Sequence, residues 1–373
     1  MNFLYSAILI ILINTHIFSQ SLSPEFICDL PNSLSESSGL FAISSNEFWS
    51  FGDSGNADEL IKFDSIGNKI KTIKVSNASN EDWESITDDG NYTYIGDFGN
   101  NTSNRTDLVI YKISSVNKIL NNSISPQKIN FSYEDQIDFN PPIGSWEYDC
   151  EAMISIRDSL YLFTKDYTFP FKGQTKVYKL SKSPEKQQAK LIAIIPTNNQ
   201  NYNLGQITDA AISPNNQSIA LLANNGLYIF DQFNSSEFWN GRKRFFLFDS
   251  KLQREGISFM NDSTIYLTNE FSSDGNAALH KLNLASIVST SYSNLISEMH
   301  INLYYNQFDK TINIESDYYV NLLEIYDLNG KLIKQNQIKS NSYYTRLDLT
   351  SGIYLIKIKL DNGNIFNSKI LVN

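Results

Sequence analysis

Histidine is scarce in this 373-residue chain, with only His16, His280 and His300. The first lies in an apolar leader and the last at the start of the C-terminal segment, so His280 alone remains in the body. That argues against a Ser-His-Asp or Cys-His nucleophile system and against a His-rich zinc site. Cysteine is limited to Cys28 and Cys150. Two thiols make no disulfide framework, and their places on different repeats predict two ordinary buried thiols. No phosphate-cradling glycine loop occurs. Beyond the leader no apolar run is long enough to span a bilayer, so no transmembrane segment is expected in the mature chain. Positive charge is also in deficit, with 30 Lys and Arg against 40 Asp and Glu. Residues 298–373 hold eight acids and eight bases, so the whole excess of −10 falls upstream. Such a body disfavours nucleic acid and anionic membranes and accommodates cations.

What is present begins with an apolar run over residues 3–14, followed by Ser19-Gln20-Ser21, the layout of a signal peptide over 1–20. Then a phrase recurs: a polar, usually acidic residue, a small one and an apolar one. It reads Ser38-Gly39-Leu40, Glu84-Ser85-Ile86, Glu151-Ala152-Met153, Asp209-Ala210-Ala211 and Glu255-Gly256-Ile257. Each copy opens a strand-like run and is followed by further apolar runs at intervals of about fifty residues, the period of propeller blades. The chain is therefore expected to be all-β, with a β-propeller over 22–285. Five blades are favoured, and six are possible if the insert 135–146 hides a degenerate unit. The fifth unit lacks a fourth strand, which residues 24–30 could supply by closing the ring. Residues 286–297 read as a Ser-rich linker. From 298 to 373 the pattern changes to alternating runs with turns at Asn329-Gly330, Ser351-Gly352 and Asp361-Asn362-Gly363, the signature of a small antiparallel β-sandwich.

Consecutive blade strands run antiparallel, so the start of the first and the end of the second emerge at one face. This places Glu84, Glu151, Asp209 and Glu255 at one mouth of the channel, with Asp53, Asp97, Asp166, Asn224, Asn269 and Glu270. Crowded carboxylates repel unless protonated or neutralised, and Ca²⁺, with six to eight oxygen ligands, is the expected remedy. The alternative is structural: each acid accepts hydrogen bonds from a neighbouring blade. Asp53, Asn101, Arg105, Lys165, Asn224 and Arg254 are candidate ligand-binding residues, and the three cations could hold an anion. If the protein is an enzyme, Asp97 or Glu270 would serve as base beside the metal.

Two resemblances add to this reading. Residues Ile325-Tyr326-Asp327-Leu328-Asn329-Gly330-Lys331-Leu332-Ile333 and Leu349-Thr350-Ser351-Gly352-Ile353-Tyr354-Leu355-Ile356-Lys357, at the extreme C-terminus, resemble the type A C-terminal sorting domain of type IX secretion. That resemblance implies an outer-membrane translocon as partner of residues 298–373, and a secreted or surface-attached product. At Gly52-Asp53-Ser54-Gly55-Asn56, Asp82-Trp83-Glu84-Ser85-Ile86, Gly96-Asp97-Phe98-Gly99-Asn100-Asn101 and Arg254-Glu255-Gly256-Ile257, the body resembles exported bacterial propellers of the SdiA-regulated and phytase-like esterase kinds. A more distant likeness is to calcium-dependent gluconolactonase and paraoxonase propellers. The expected function is a Ca²⁺-stabilised binding or scaffold propeller for a small-molecule or surface ligand. The alternative is a metal-dependent hydrolase of phosphate esters or lactones.

Overall fold

The computed structural model describes residues 21–284 and 301–372, apart from 200, 234–235, 307–309, 329 and 362–364. The expected leader and linker lie outside the described residues. Two compact units divide at Asn283 and Leu284.

The first unit is built from antiparallel meanders. The first comprises β3 (Ser37–Ser44), β4 (Glu47–Gly52), β5 (Glu59–Asp64) and β6 (Lys69–Val75). The second comprises β7 (Trp83–Asp88), β8 (Tyr92–Asp97), β9 (Val109–Ser114) and β11 (Gln127–Tyr133). The third comprises β12 (Ser145–Ile156), β13 (Ser159–Thr168), β14 (Gln174–Ser181) and β15 (Gln187–Pro196). Then come β16 (Ile207–Ile212), β17 (Ile219–Ala223), β18 (Gly226–Asp231) and β19 (Arg242–Phe248). The last group holds β20 (Arg254–Asn261), β21 (Thr264–Asn269) and β22 (Ala278–Asn283), and its outer strand is β2 (Glu25–Asp29) from the other end of the chain. No strand lies in the insert between Tyr133 and Ser145.

The first strands of these groups pack in a cycle, β3 on β7, β7 on β12, β12 on β16, β16 on β20 and β20 on β3. The arrangement is propeller-like. Both faces of each sheet are covered by neighbours, so strands such as β17, Ile219–Ala223, are buried at every position and read as continuous apolar runs. Aromatic and aliphatic side chains fill the wedges. Tyr94, Phe131, Tyr133, Met153 and Tyr178 pack between the second and third meanders, and Phe51, Trp83, Ile95 and Tyr111 between the first and second.

Outer edges are stitched by parallel pairing. The two-residue β10 (Ser123–Ile124) lies on β6, β11 lies on β15, and β1 (Ser21–Leu22) lies on β19. The thiols of Cys28 and Cys150 are free and buried.

The second unit is one sheet in the order β23 (Ile301–Asn306), β24 (Thr311–Tyr326), β26 (Gly352–Leu360), β27 (Ile365–Val372), with β25 (Leu332–Arg346) on the other side of β24. Register breaks between Glu315 and Val320 divide the long β24, so that β23 flanks its first half and β26 its second. Ile314, Leu323, Ile325, Ile356 and Ile358 share its core.

If β1 and β2 close the first unit, removing residues 21–30 bares the edges of β19 and β22. Thermal unfolding monitored by light scattering should then show a lowered midpoint and concentration-dependent aggregation. An unchanged midpoint would mean that closure contributes nothing.

Candidate functional site

Every innermost strand carries a disturbed register, near its start in β3, β7, β16 and β20 and midway along the longer β12. Trp83 faces Asp97 while Ser85 faces Gly96, so Glu84 is an extra residue without a partner. Glu151 is extra between Cys150 and Ala152, Thr208 between Ile207 and Asp209, and Glu255 between Arg254 and Gly256. On β3, Ser38 and Gly39 occupy this place. A bulge of this kind re-aims a side chain at the strand end, here the same end around the cycle. Gly39, with φ of +84° and the Phe51 ring 2.8 Å from where a Cβ would stand, allows that turn.

The acids gather accordingly. Oxygens of Asp53, Asp82 and Glu84 lie within 4.8 Å of one another. At an effective dielectric near 20, two carboxylates at that separation repel by about 3 kcal/mol. Glu84 is buried, and Ser38 Oγ donates to its Oε2 at 3.1 Å. Burial, then Glu151, Asp53 and Asp82, hold the Glu84 carboxyl well above the usual range. Asp82 is pushed up to about 7 by burial and the charges of Asp53 and Glu151. Gly99 covers this pair: a Cβ there would stand 2.3 Å from Asp82 Oδ2 and 2.5 Å from Glu84 Oε1. Only glycine leaves both oxygens open.

The cluster continues around the ring. Lys165 Nζ lies 3.1 Å from Glu151 Oε1, both side chains nearly buried. Burial opposes the Lys165 charge, and Glu151 and then Glu255 outweigh it, holding the ammonium above its ordinary range. Burial raises Glu255 to about 7 against the pull of Lys165, and raises Glu270 to about 8 with help from Glu255 and Asp53. Gln253 Nε2 donates to Glu270 Oε2 at 2.6 Å. Asp149, raised to about 6 chiefly by burial, accepts from the Asn100 amide and from Asn101 Nδ2. Lys165 acts on Asp53, Asp149, Glu151, Glu255 and Glu270, whereas Asp82 feels the Arg105 guanidinium that is already bonded to Asp97. The arrangement can hold protons or a cation.

Other candidates are placed differently. Asp209 aligns with Ser85 and Gly256 rather than with Glu84 and Glu255, one position along the strand. A one-residue slip reverses a strand side chain. Its Oδ1 accepts from Ser85 Oγ at 2.7 Å and its Oδ2 from the Ile257 amide at 2.8 Å, while Ser85 Oγ accepts from the Met153 amide at 3.1 Å. These bonds join β7, β12, β16 and β20. Because β7 and β16 are not neighbours in the cycle, the Ser85–Asp209 bond crosses its interior. Asp97 accepts from Arg105 Nη2 at 2.9 Å, from the Asp82 amide and from Tyr111. Arg105 also donates to Gly99 O and Asp107. Arg254 is wholly buried, donating to Asn224 O and Ser250 over the Phe248 ring at 4.1 Å. Asn224 Oδ1 is buried without a partner. Asp166 accepts from Thr168 and the Gly173 amide, and Asn269 donates to Glu270 O and meets His280 at 2.9 Å. Asp82 and Asp149 join the cluster although the recurring phrase does not single them out; the signal in the sequence is an acid two residues before the bulged one, in Asp82-Trp83-Glu84 and Asp149-Cys150-Glu151.

Residues 302–373 match the model of the secretion system C-terminal sorting domain. That match marks the chain for type IX secretion and a secreted or cell-surface destination, and no helix among the described residues is long and apolar enough to cross a membrane. No curated protein matches the chain. Among solved structures, the PQQ-bound aldose sugar dehydrogenase of Streptomyces coelicolor is similar at 8% identity and TM-score 0.42, covering 70% of this chain and 98% of that one. PorZ, a surface component of the type IX secretion system of Porphyromonas gingivalis, is similar at 12% identity and TM-score 0.32, covering 90% and 45%. A putative 6-phosphogluconolactonase of Bacteroides uniformis is similar at 10% identity and TM-score 0.34, covering 91% and 97%. Scores this low carry no functional argument.

Asp209→Ala leaves two buried donors without an acceptor, at a cost of about 2–4 kcal/mol in chemical denaturation. A loss under about 0.5 kcal/mol would show that the crossing bond is dispensable. The raised carboxyls set a pH dependence. The native state keeps protons on Asp82, Glu255 and Glu270 that the unfolded chain releases near pH 4. Their stabilisation is complete below that value and is lost as pH rises through about 7 to 8. Chelator-treated protein should therefore melt at a higher temperature at pH 5 than at pH 8.5, and the reverse order would refute the shared-proton account.

Proposed function

We propose that the first unit is a five-bladed β-propeller, closed by the pairing of β2 with β22, that binds a divalent cation at its mouth and acts as an exported binding module. The observation that carries this reading is the convergence of Asp53, Asp82 and Glu84 within 4.8 Å. Hard carboxylate oxygens from two blades suit Ca²⁺, which tolerates irregular coordination. Asp53, Asp82 and Glu84 would hold the ion. Glu151 and Glu255, tied to Lys165, would set the charge beside it.

A bound ion supplies positive charge to anchor ligand oxygens, such as those of a carboxylate, phosphate or vicinal diol. The well's contribution is orientation. The Ser85–Asp209 bond crosses the interior, so a ligand enters from the mouth and leaves by it. The second unit would be the part that the outer-membrane translocon reads.

A second reading, hydrolysis of a phosphate ester or lactone, has one observation in its favour. Glu270, with its carboxyl raised to about 8 by burial and by Glu255, would carry its proton at neutral pH and donate it there as a general acid, acting as a base only above about pH 8. Asp97 is less suited, because Arg105, Tyr111 and the Asp82 amide already occupy its oxygens.

The test of the cation site is unfolding of the whole protein with Ca²⁺ and with chelator. An ion at a hundredfold over its dissociation constant adds about 2.7 kcal/mol, or roughly 5 °C in midpoint. Glu84→Gln should abolish that shift. Equal midpoints in Ca²⁺ and chelator would remove the reading. The hydrolase reading expects turnover on a phosphate-ester and lactone panel that Glu270→Gln reduces at least about a hundredfold. A wild type silent on that panel would leave the binding module.

A further inference from the structure

The outer edge of the first meander carries a different recognition feature. Strand β6 pairs with β5 along its length, yet on its other side only Lys74 and Val75 are paired, with β10. Among the described residues, 69–73 have no strand on that side. The Lys74 amide donates outward to Asn122 O at 2.9 Å, while the Val75 amide turns inward to Asp58 O. Alternation therefore turns the Thr72 amide and carbonyl outward as well, onto the unpaired edge. An open groove of about 460 Å³ runs along this stretch, lined by Glu59, Lys69, Ile70, Lys71, Thr72 and Lys74. Ile70 is 49% exposed there.

We propose that this groove receives an extended acidic segment of a partner protein, which adds to β6 as a strand in line with β10. The molecule uses the same mode on itself: β10, β1 and β11 each lie parallel on another group's outer strand. Main-chain bonds to the edge supply affinity, and side chains supply selection. Selection here is by charge. Lys69, Lys71 and Lys74 line the groove with one acid, Glu59, and Asp58 lies beside Lys74. Lys74 lies 3.8 Å from Asp58 and is 59% exposed, and Lys71 is anchored by donating to Ile119 O and Leu120 O. Lysines on an edge also resist pairing of like with like. Two such edges brought together would oppose their ammonium groups, which disfavours a second copy of this chain as occupant. An acidic strand relieves that repulsion and covers Ile70.

The test uses the full chain and three fluorescein-labelled hexapeptides, followed by anisotropy. These are Glu-Val-Glu-Val-Glu-Val, its Lys-for-Glu counterpart, and the acidic peptide with alternate backbone nitrogens methylated. Strand addition expects the acidic peptide to bind at least about tenfold tighter than the basic one. N-methylation should remove at least about tenfold of that affinity. The doubly charge-reversed variant K69E/K74E should lose binding with its melting midpoint unchanged. Equal binding of acidic and basic peptides would overturn the proposal, as would no binding of the acidic peptide at millimolar concentration. Charge-selective binding indifferent to N-methylation would reduce the groove to surface electrostatics and overturn strand addition. None of these outcomes depends on the cation site.

Discussion

A cycle of strands that closes on itself brings its strand ends together, and each of these strands carries one residue too many at the same end. That coincidence generates the site. Glu84, Glu151 and Glu255 are unpaired in register, so their side chains are released from the alternation that would bury them between sheets. Residues separated by about seventy to a hundred positions in sequence thus become electrostatic neighbours. The glycines serve the same end. Gly39 permits the turn, and Gly99 leaves room beside Asp82 and Glu84.

Charge then becomes the central difficulty of the fold. Seven carboxyls set against Lys165 and an Arg105 already bonded to Asp97 cannot all ionise cheaply where they are so poorly solvated. Retained protons are one remedy and a cation is the other, and the two compete for the same oxygens. Lys165 offers partial relief, attached to Glu151 and within the field of Glu255. Asp97 follows a different course, because Arg105 and the backbone around Gly99 neutralise it within its own meander.

The sequence carried much of the architecture, because the acid-small-apolar phrase marks strand starts whatever the tertiary context. Residues 24–30 stood out as an orphan strand, and β2 indeed pairs with β22. The site was harder to read. Asp209-Ala210-Ala211 imitates the phrase, yet the bulge falls on Thr208, and a shift of one residue sends Asp209 to a structural bond. Nothing local distinguishes the two registers. The engagement of Lys165 by Glu151 depends on how β12 and β13 pair, and that of Arg254 on the loop before β20, so their commitments were also invisible in one dimension. Asp82 and Asp149 were legible in principle, since each stands two positions before a bulged acid.

The stitching of outer strands is uneven. The first and second groups are joined by β10 on β6, the second and third by β11 on β15, and the fourth and fifth by β1 on β19. Between the third and fourth, and between the fifth and first, the described residues show no such strand pairing. Side chains make the link at both, Gln206 on Asp166 O and Lys243 on Pro196 O at one and Ser258 Oγ under the Ala42 amide at the other. The circle therefore has two seams, and thermal breathing has two natural places at which to part it.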